Sequence, residues 1–197
     1  MDTGEIERNL RAAASVSRGH FRYESGHHGD LWLDLDSLLT DARRLRGWAS
    51  ALAARAAACR PDVVCGPLTG GAFVAQFVAA EIGAGFVFAE RVVEATGSVR
   101  YRIPPSLRAA LRDRRVLLVD DAVNAGWALL STLAEVTDCG AGLAGFASLL
   151  SLGNAASRIG AQCGAPFFAL VSLERRMWLP DDCPLCPAGE PLVDHLT

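Results

Sequence analysis

The chain has 197 residues, 51% of them hydrophobic, and a formal net charge of −3 from 22 acidic and 19 basic side chains, all of the basic ones Arg. This length supports a single domain over residues 1–197, while the acidic excess excludes a broad cationic surface for nucleic acid and the lack of Lys excludes Schiff-base chemistry. The apolar stretches are far shorter than the roughly 20 residues of a membrane span, and the first residues show no leader pattern, so we expect a cytoplasmic protein that contacts no membrane.

The first third of the chain predicts a small group of mixed elements. These are a helix over 4–17, short strands over Phe21–Tyr23 and Leu31–Leu35, and an Ala- and Arg-rich helix over Asp41–Cys59. From there strands and helices alternate, with strands at 62–66, 85–89, 115–120, 143–150 and 166–172 and helices at 71–82, after 126 and at 154–162. Strict alternation predicts an α/β fold with a mainly parallel central sheet and helices on both faces.

Two segments interrupt this alternation. Residues 91–114 contain a Thr-Gly-Ser turn, the three residues Arg91, Arg100 and Arg102, and two adjacent Pro, and we expect a long functional or mobile loop there. The tail after Trp178 has four Pro within a short distance, and we expect no regular structure in it.

The strongest chemical signal is the segment from Arg115 to Gly126, in which a buried strand runs into two carboxylates and a turn of small residues. The carboxyl ends of parallel strands form the ligand crevice, so Asp120 and Asp121 are placed where a substrate would bind. The turn that follows opens a helix, whose free amides suit a phosphate. A ligand with hydroxyls at one end and phosphate at the other, a sugar phosphate, fits both parts. The alternative is that Asp121 only caps the turn.

This segment resembles the motif by which type I phosphoribosyltransferases bind the activated sugar phosphoribosyl pyrophosphate (PRPP). The resemblance implies that Asp120 and Asp121 hold the ribose hydroxyls and act in catalysis. It further implies that the 5-phosphate is wrapped by Ala122, Val123, Asn124, Ala125 and Gly126. The chain departs from the motif where many members have Thr, at Asn124 and Trp127, so two hydroxyl donors are missing.

Two earlier segments extend the resemblance in the family's own order. The stretch from Phe21 to Asp34 is similar to the N-terminal part of orotate phosphoribosyltransferases, which implies base-binding roles for Ser25, Gly26 and His28. The stretch from Cys65 to Ala72 is similar to their Gly-Pro-x-x-Gly-Gly loop, which implies that Thr69, Gly70 and Gly71 bind the pyrophosphate of PRPP. Taken alone, each segment is also compatible with an ordinary turn, and His28 with a surface position.

The loop of 91–102 resembles the basic loop that family members close over the leaving pyrophosphate. Its Arg residues stand in place of a family Lys, which implies catalytic roles for Arg91 and Arg100 and PRPP binding by Arg91 and Arg102. The alternative is a solvated surface. Orotate enzymes are two-fold dimers, so the resemblance also implies a homodimer in which this loop acts in trans on the neighbour's site.

The expected metal chemistry is indirect. The resemblance implies Mg²⁺ as the cofactor, bound through PRPP and contacted by Asp121 at most. Cys183 and Cys186 have the spacing of a zinc knuckle, but zinc needs four ligands and the sequence shows no second pair, so we expect no zinc there. A Cys-Pro-Leu-Cys tail followed by Gly189 and Pro191 also resembles the end of some orotate phosphoribosyltransferase-like sequences.

As a whole, the resemblance implies the type I phosphoribosyltransferase fold with a small hood built from about 1–40 and 173–197. It implies transfer of the phosphoribosyl group of PRPP to orotate, giving orotidine 5′-monophosphate and pyrophosphate. Two alternatives remain: transfer to another heterocyclic base, and a catalytically weak regulator that binds PRPP or a nucleotide.

Overall fold

The computed structural model describes residues 3–23, 26–95 and 98–194, and the backbone alone of Thr3. The helices are α1 (Thr3–Ala13), α2 (Asp36–Leu39), α3 (Ala42–Ala56), α4 (Gly70–Ile82), α5 (Trp127–Asp138) and α6 (Ala155–Cys163). The strands are β1 (Ser17–Arg22), β2 (His28–Trp32), β3 (Val63–Pro67), β4 (Gly85–Val93), β5 (Val99–Arg102), β6 (Arg115–Val123), β7 (Gly142–Leu152), β8 (Phe167–Leu173), β9 (Met177–Trp178) and β10 (Leu192–Asp194). Within these ranges no helix has the length and apolar character needed to cross a membrane.

The larger sheet has the strand order β5-β4-β3-β6-β7-β8 across the described residues, and all its neighbours pair in parallel except β5 with β4. Its central strand β6 is buried on both sides. Leu117 and Val119 face the cluster that includes α3 and α4. Val116 and Leu118 face a second cluster with α5 and α6. The expected α/β architecture, with helices covering both faces of a mainly parallel sheet, is confirmed.

The smaller sheet joins the two ends of the chain in the order β10-β1-β2-β9, as far as the described residues show. We expected strands at Phe21–Tyr23 and Leu31–Leu35, but β1 and β2 begin earlier because their antiparallel pairing, which local hydrophobicity does not reveal, sets their bounds. The tail was also expected to lack regular structure. This was wrong, since Pro180–Asp182 forms a short 3-10 helix and β10, directly after Pro191, pairs in parallel with β1.

The segment expected to be a loop at 91–102 is largely a hairpin. β4 continues to Val93, beyond the edge of the core, and pairs with β5 through Arg91↔Tyr101 and Val93↔Val99. The sequence alternates here with period two, which suits a strand, but the turn residues next to it concealed this pattern. Thr96 and Gly97 lie outside the described residues.

The smaller sheet lies beside the carboxyl ends of the larger one. Only a short connection separates Leu173, the last residue of β8, from Met177, the first of β9. Arg18 on β1 donates from Nη2 to the carbonyl of Glu174 in that connection, at 2.9 Å. The two sheets therefore meet at the edge where a doubly wound sheet binds its ligands.

Candidate active site

Asp120 and Asp121 lie near the carboxyl end of β6, between β3 and β7. Asp120 is only 7% exposed. Its Oδ1 accepts from the backbone N–H of Asp121 at 3.1 Å, and Oδ1 of Asp121 accepts from the N–H of Ala122 at 2.8 Å. Burial raises the pKa of both carboxyls, and the neighbouring charge of Asp121 raises the pKa of Asp120 further. Such a pair is costly to ionise without a ligand, which is typical of a functional site.

The glycine loop between β3 and α4 packs directly on this acidic pair. A Cβ on Gly70 would overlap Oδ2 of Asp121, and a Cβ on Gly71 would lie 2.5 Å from Oδ1 of Asp120. Thr69 precedes α4 and is exposed, and the peptide bond between Leu68 and Thr69 is cis. Two motifs about 50 residues apart in the sequence therefore form one site, and both glycines are required by the carboxylates beside them.

The turn after the acidic pair leads into α5 through Gly126. This residue has φ +84°, and any Cβ there would overlap Cδ1 of Ile159, so both backbone and packing favour glycine. Among the described residues no side chain caps α5, which leaves the first-turn amides available to an anion. Oδ1 of Asn124 is buried in the same turn without a hydrogen-bond partner in the described part of the chain.

A cavity of about 350 Å³ lies between Asp120, the turn after it and the hairpin. Asp120 and the residues from Ala122 to Gly126 form one side of it, and Arg91, Val99 and Tyr101 of the hairpin form the other. Trp127, 63% exposed, stands at its mouth and donates from Nε1 to the carbonyl of Val99 at 3.2 Å. The hairpin is thus fastened to the start of α5 and covers the turn of its own chain.

The three Arg of the hairpin do not share one face. Successive residues of a strand point to opposite sides, so Arg91 faces the cavity with its partner Tyr101, while Arg100 and Arg102 point away. Arg100 and Arg102 both pair with Glu94, at 3.2 and 3.5 Å, and both are more than half exposed. Arg91 lines the cavity that contains Asp120 of the same chain, while the expectation that the loop acts in trans concerns a second chain and stays a prediction.

The expected base-binding residues divide in a similar way. Ser25 lies outside the described residues. Gly26 has φ +79° in the turn between β1 and β2, and its N–H donates to the carbonyl of Tyr23 at 2.8 Å. His28 was expected in the base pocket, and this is corrected: it is 6% exposed, and its Nδ1 lies 3.3 Å from Sγ of Cys186, since the strand pairing turns the ring into the smaller sheet's interior.

Sequence reasoning missed two residues that support the two sides of the cavity. Arg158 on α6 donates from Nη2 to the carbonyl of Ala125 at 2.5 Å, which fixes the turn and brings a positive charge to it. Ser131 on α5 accepts the N–H of Tyr101 at 3.0 Å and holds the hairpin. Neither lies in a motif, and both become visible only when the helices are packed on the sheet.

The family model described as a phosphoribosyl transferase domain matches residues 34–161. This match covers well over half of the chain, which therefore belongs to the phosphoribosyltransferase family. Among curated proteins, the chain is 30% identical to an orotate phosphoribosyltransferase of Heliobacterium modesticaldum, over 93% of the chain and 92% of that protein. It is 29% identical to an orotate phosphoribosyltransferase of Wolinella succinogenes, over 93% of the chain and 92% of the relative.

Solved structures show the same fold with more than one base specificity. The chain superposes on orotate phosphoribosyltransferase of Mycobacterium tuberculosis with a TM-score of 0.67 and 21% identity, covering 88% of this chain and 97% of the other. An adenine phosphoribosyltransferase of Rhodothermus marinus gives a TM-score of 0.67 and 19% identity, with 86% and 99% covered. The fold of type I phosphoribosyltransferases is thereby confirmed, and it does not by itself distinguish the base.

The raised pKa of Asp120 predicts that Asp120→Asn stabilises the ligand-free protein while weakening its ligand binding. A carboxyl whose folded pKa lies above its unfolded value of about 3.9 loses stability as the pH rises through the folded pKa, and Asn removes that loss. We expect a higher Tm than the parent at pH 7, a smaller difference near pH 4, and PRPP binding weakened at least about tenfold, or about 1.4 kcal/mol.

Thermal unfolding at the two pH values and calorimetric titration with PRPP and Mg²⁺ measure these effects. Asp181→Asn, at an exposed position, removes the same charge and should match the parent in both measurements. Parent-like PRPP binding by both Asp120→Asn and Asp121→Asn would show that the acidic pair is not the sugar site.

The packing of the glycine loop predicts that Gly71→Ala weakens PRPP binding and destabilises the fold by about 1–3 kcal/mol, because the new methyl group meets both Asp120 and the ring of Pro67. Denaturant unfolding and PRPP titration measure the two effects. Gly142→Ala is the matched control, since a Cβ there meets nothing within 4 Å. Equal effects of the two substitutions would contradict the proposed contact.

Proposed function

We propose that this protein transfers the 5-phosphoribosyl group of PRPP to orotate, forming orotidine 5′-monophosphate and releasing pyrophosphate. The observation that carries the proposal is that Asp120 and the uncapped start of α5 line one cavity, while the glycine loop packs against the acidic pair to which Asp120 belongs. Orotate is the base named for the curated relatives at 29 and 30% identity. The family supplies PRPP as the other substrate.

Each part of the site suits one group of PRPP. The amides at the start of α5 suit the 5-phosphate, and Oδ1 of Asn124 is buried where that phosphate ester would lie, so its amide can reorient to donate. Asp120 and Asp121 accept from the ribose hydroxyls. The backbone of Gly70 and Gly71 approaches the pyrophosphate, which the missing Cβ atoms permit.

The reaction is a displacement at the anomeric carbon. A nitrogen of orotate forms the new bond to that carbon, and the bond from the carbon to the pyrophosphate oxygen breaks, so the electron pair leaves with pyrophosphate. Positive charge grows on the ribose ring next to Asp120 and Asp121, while negative charge grows on the leaving group near Arg91. Arg holds its proton throughout, so Arg91 binds and stabilises the leaving group without donating a proton to it.

The acidic pair also fits Mg²⁺, the cofactor expected from the resemblance. Two buried carboxylates with raised pKa values ionise readily only when a positive charge approaches them, and carboxylate oxygens are ligands that Mg²⁺ accepts. We propose that Mg²⁺ arrives with PRPP and that Asp121, the less buried of the two, is the side chain nearest to it. The ion would neutralise charge on the pyrophosphate.

We further propose that the protein works as a homodimer and that only the outer face of the hairpin serves the neighbouring site. Arg100 and Arg102 are directed away from their own cavity and are more than half exposed. Their ion pairs with Glu94 are weak because both guanidinium groups are largely in solvent, so both can move to a pyrophosphate at low cost. Arg91 acts in its own chain.

A panel of bases tests the reaction. Incubated with PRPP and Mg²⁺, the protein should release pyrophosphate with orotate and release at least about tenfold less with adenine, hypoxanthine or uracil, a difference of about 1.4 kcal/mol in the barrier. If pyrophosphate release is fastest with another base, that base is the substrate in place of orotate. Tight PRPP binding without release with any base would instead identify a regulator.

The division of the hairpin predicts a subunit-mixing result. Arg100→Ala and Asp121→Ala should each be nearly inactive, but after subunit exchange about half of the dimers are mixed. Each mixed dimer has one complete site, so activity should return to roughly a quarter of the parent value. Arg91→Ala mixed with Asp121→Ala is the matched control and should recover nothing, because Arg91 and the acidic pair serve the same site.

Turnover of radiolabelled orotate measures recovery, and differently tagged subunits confirm exchange. Parent-like activity of Arg100→Ala alone, or equal recovery in both mixtures, would contradict the assignment of the two faces.

A further inference from the structure

The smaller sheet encloses a cluster of four side chains that the proposed reaction does not use. His20 lies on β1, His28 on β2, and Cys183 and Cys186 on the tail between β9 and β10. Each offers one ligand atom, and these atoms all lie within 4.8 Å of one another. Three of the four residues are buried, and Cys186 is exposed. Two imidazoles and two thiols gathered at one point are the ligand set of a structural zinc site.

The distances agree with a tetrahedral ion. Zinc bonds of about 2.0–2.1 Å to nitrogen and about 2.3 Å to sulfur place two nitrogens about 3.3 Å apart and a nitrogen and a sulfur about 3.6 Å apart. Nε2 of His20 lies 3.0 Å from Nδ1 of His28 and 3.4 Å from Sγ of Cys183. Sγ of Cys186 lies 3.8 Å from Nε2 of His20 and 3.3 Å from Nδ1 of His28.

The backbone around the cluster is built to hold these positions. His20 and His28 stand on neighbouring antiparallel strands, and each strand is also paired on its outer side, with β10 and β9. The N–H of Cys186 donates to the carbonyl of Cys183 at 3.3 Å, which closes the two-residue spacer into a tight turn with both sulfurs on one side. Both halves of the ligand set are therefore fixed by main-chain hydrogen bonds.

A second contact orients one of the rings. Nδ1 of His20 lies 2.9 Å from the carbonyl oxygen of Glu190, so this nitrogen carries the proton and donates, and the lone pair of Nε2 points into the cluster. Nδ1 of His28 lies 3.0 Å from Nε2 of His20 and 3.3 Å from Sγ of Cys186, so this nitrogen also faces the cluster. Histidine binds a metal through the lone pair of one ring nitrogen, and one nitrogen of each ring is placed to do so here.

We propose that His20, His28, Cys183 and Cys186 bind one zinc ion in a closed, four-coordinate structural site. Binding replaces the two thiol protons, which go to solvent, and forms two Zn–S and two Zn–N bonds without change of oxidation state. Two thiolates balance the charge of Zn²⁺, so the buried unit is neutral overall. All four positions are filled by the protein, which leaves none for a substrate and makes the site structural.

This proposal corrects the expectation that the cysteine pair has no partners. The second pair is His20 and His28. His20 precedes Cys183 by 163 positions in the sequence. Zinc motifs are recognised by short spacings, and no spacing rule links a hairpin at one end of a chain with a turn at the other.

The zinc site would join the two ends of the chain next to the turn between β1 and β2. His28 begins β2 immediately after the turn that contains Gly26, and the ion would tie the base of that turn to the tail. The turn belongs to the segment that resembles a base pocket. Zinc would thus hold the hood in shape without touching the reacting atoms.

Metal analysis of protein purified without a metal-affinity tag tests the proposal. We expect about one zinc per chain in the parent and in Cys163→Ser, whose cysteine lies outside the cluster, and less than about 0.2 in Cys183→Ser, Cys186→Ser and His28→Gln. The three variants should also have a Tm lower by at least about 5 °C, and only the parent and the control should lose Tm when a chelator is added.

A measurement on the parent alone covers the case in which the variants fail to fold. After removal of metal under reducing conditions, CoCl₂ should produce the visible absorption of tetrahedral cobalt with thiolate ligands, saturating at one ion per chain and displaced by ZnCl₂. Absence of bound zinc together with no such spectrum overturns the proposal. Both readouts are independent of turnover, so an inactive protein with one zinc would reject the proposed reaction and retain the metal site.

Discussion

The burial of two adjacent carboxylates at the end of β6 is the constraint to which the rest of the site is fitted. Desolvation raises the pKa of Asp120 and Asp121, so the empty site carries an energetic penalty that a cationic or hydroxylated ligand relieves. The residues packed against these carboxylates must leave room for them. Gly70 and Gly71 lack side chains because the carboxylate oxygens occupy the places their Cβ atoms would take. Stability is given up at this point for binding, as at many functional sites.

The parts of the site that the sequence predicted are those encoded by local order. A buried strand, two carboxylates and a turn of small residues are consecutive, so the position of Asp120 and Asp121 at a strand end follows from the alternation of elements alone. The glycine loop was found for the same reason. Its contact with the acidic pair was not predictable, because it depends on how α4 packs beside β6.

The wrong predictions concern features that local sequence does not encode. Each depends on pairing between strands or on contact between residues far apart in the chain. The hairpin of β4 and β5 was taken for a loop, and so Arg91, Arg100 and Arg102 were treated as one group when the pleat divides them. His28 was assigned to a base pocket from its neighbours in sequence, but the pairing of its strand turns the ring toward Cys186, at the far end of the chain. The two ends of the chain form the smaller sheet together, and no local sequence pattern predicts their pairing.

The pleat of β4 also limits how this hairpin can change over evolution. Val87 and Ala89 are buried in the core, and Arg91 follows them on the same side of the strand. Inserting or deleting one residue between Ala89 and Arg91 would turn the guanidinium outward and bring a neighbour into the cavity, since side chains alternate with period two. An insertion or deletion of two residues would keep the side chain of Arg91 on the cavity side of the strand. Length variation at the start of this hairpin is therefore tolerated only in even steps.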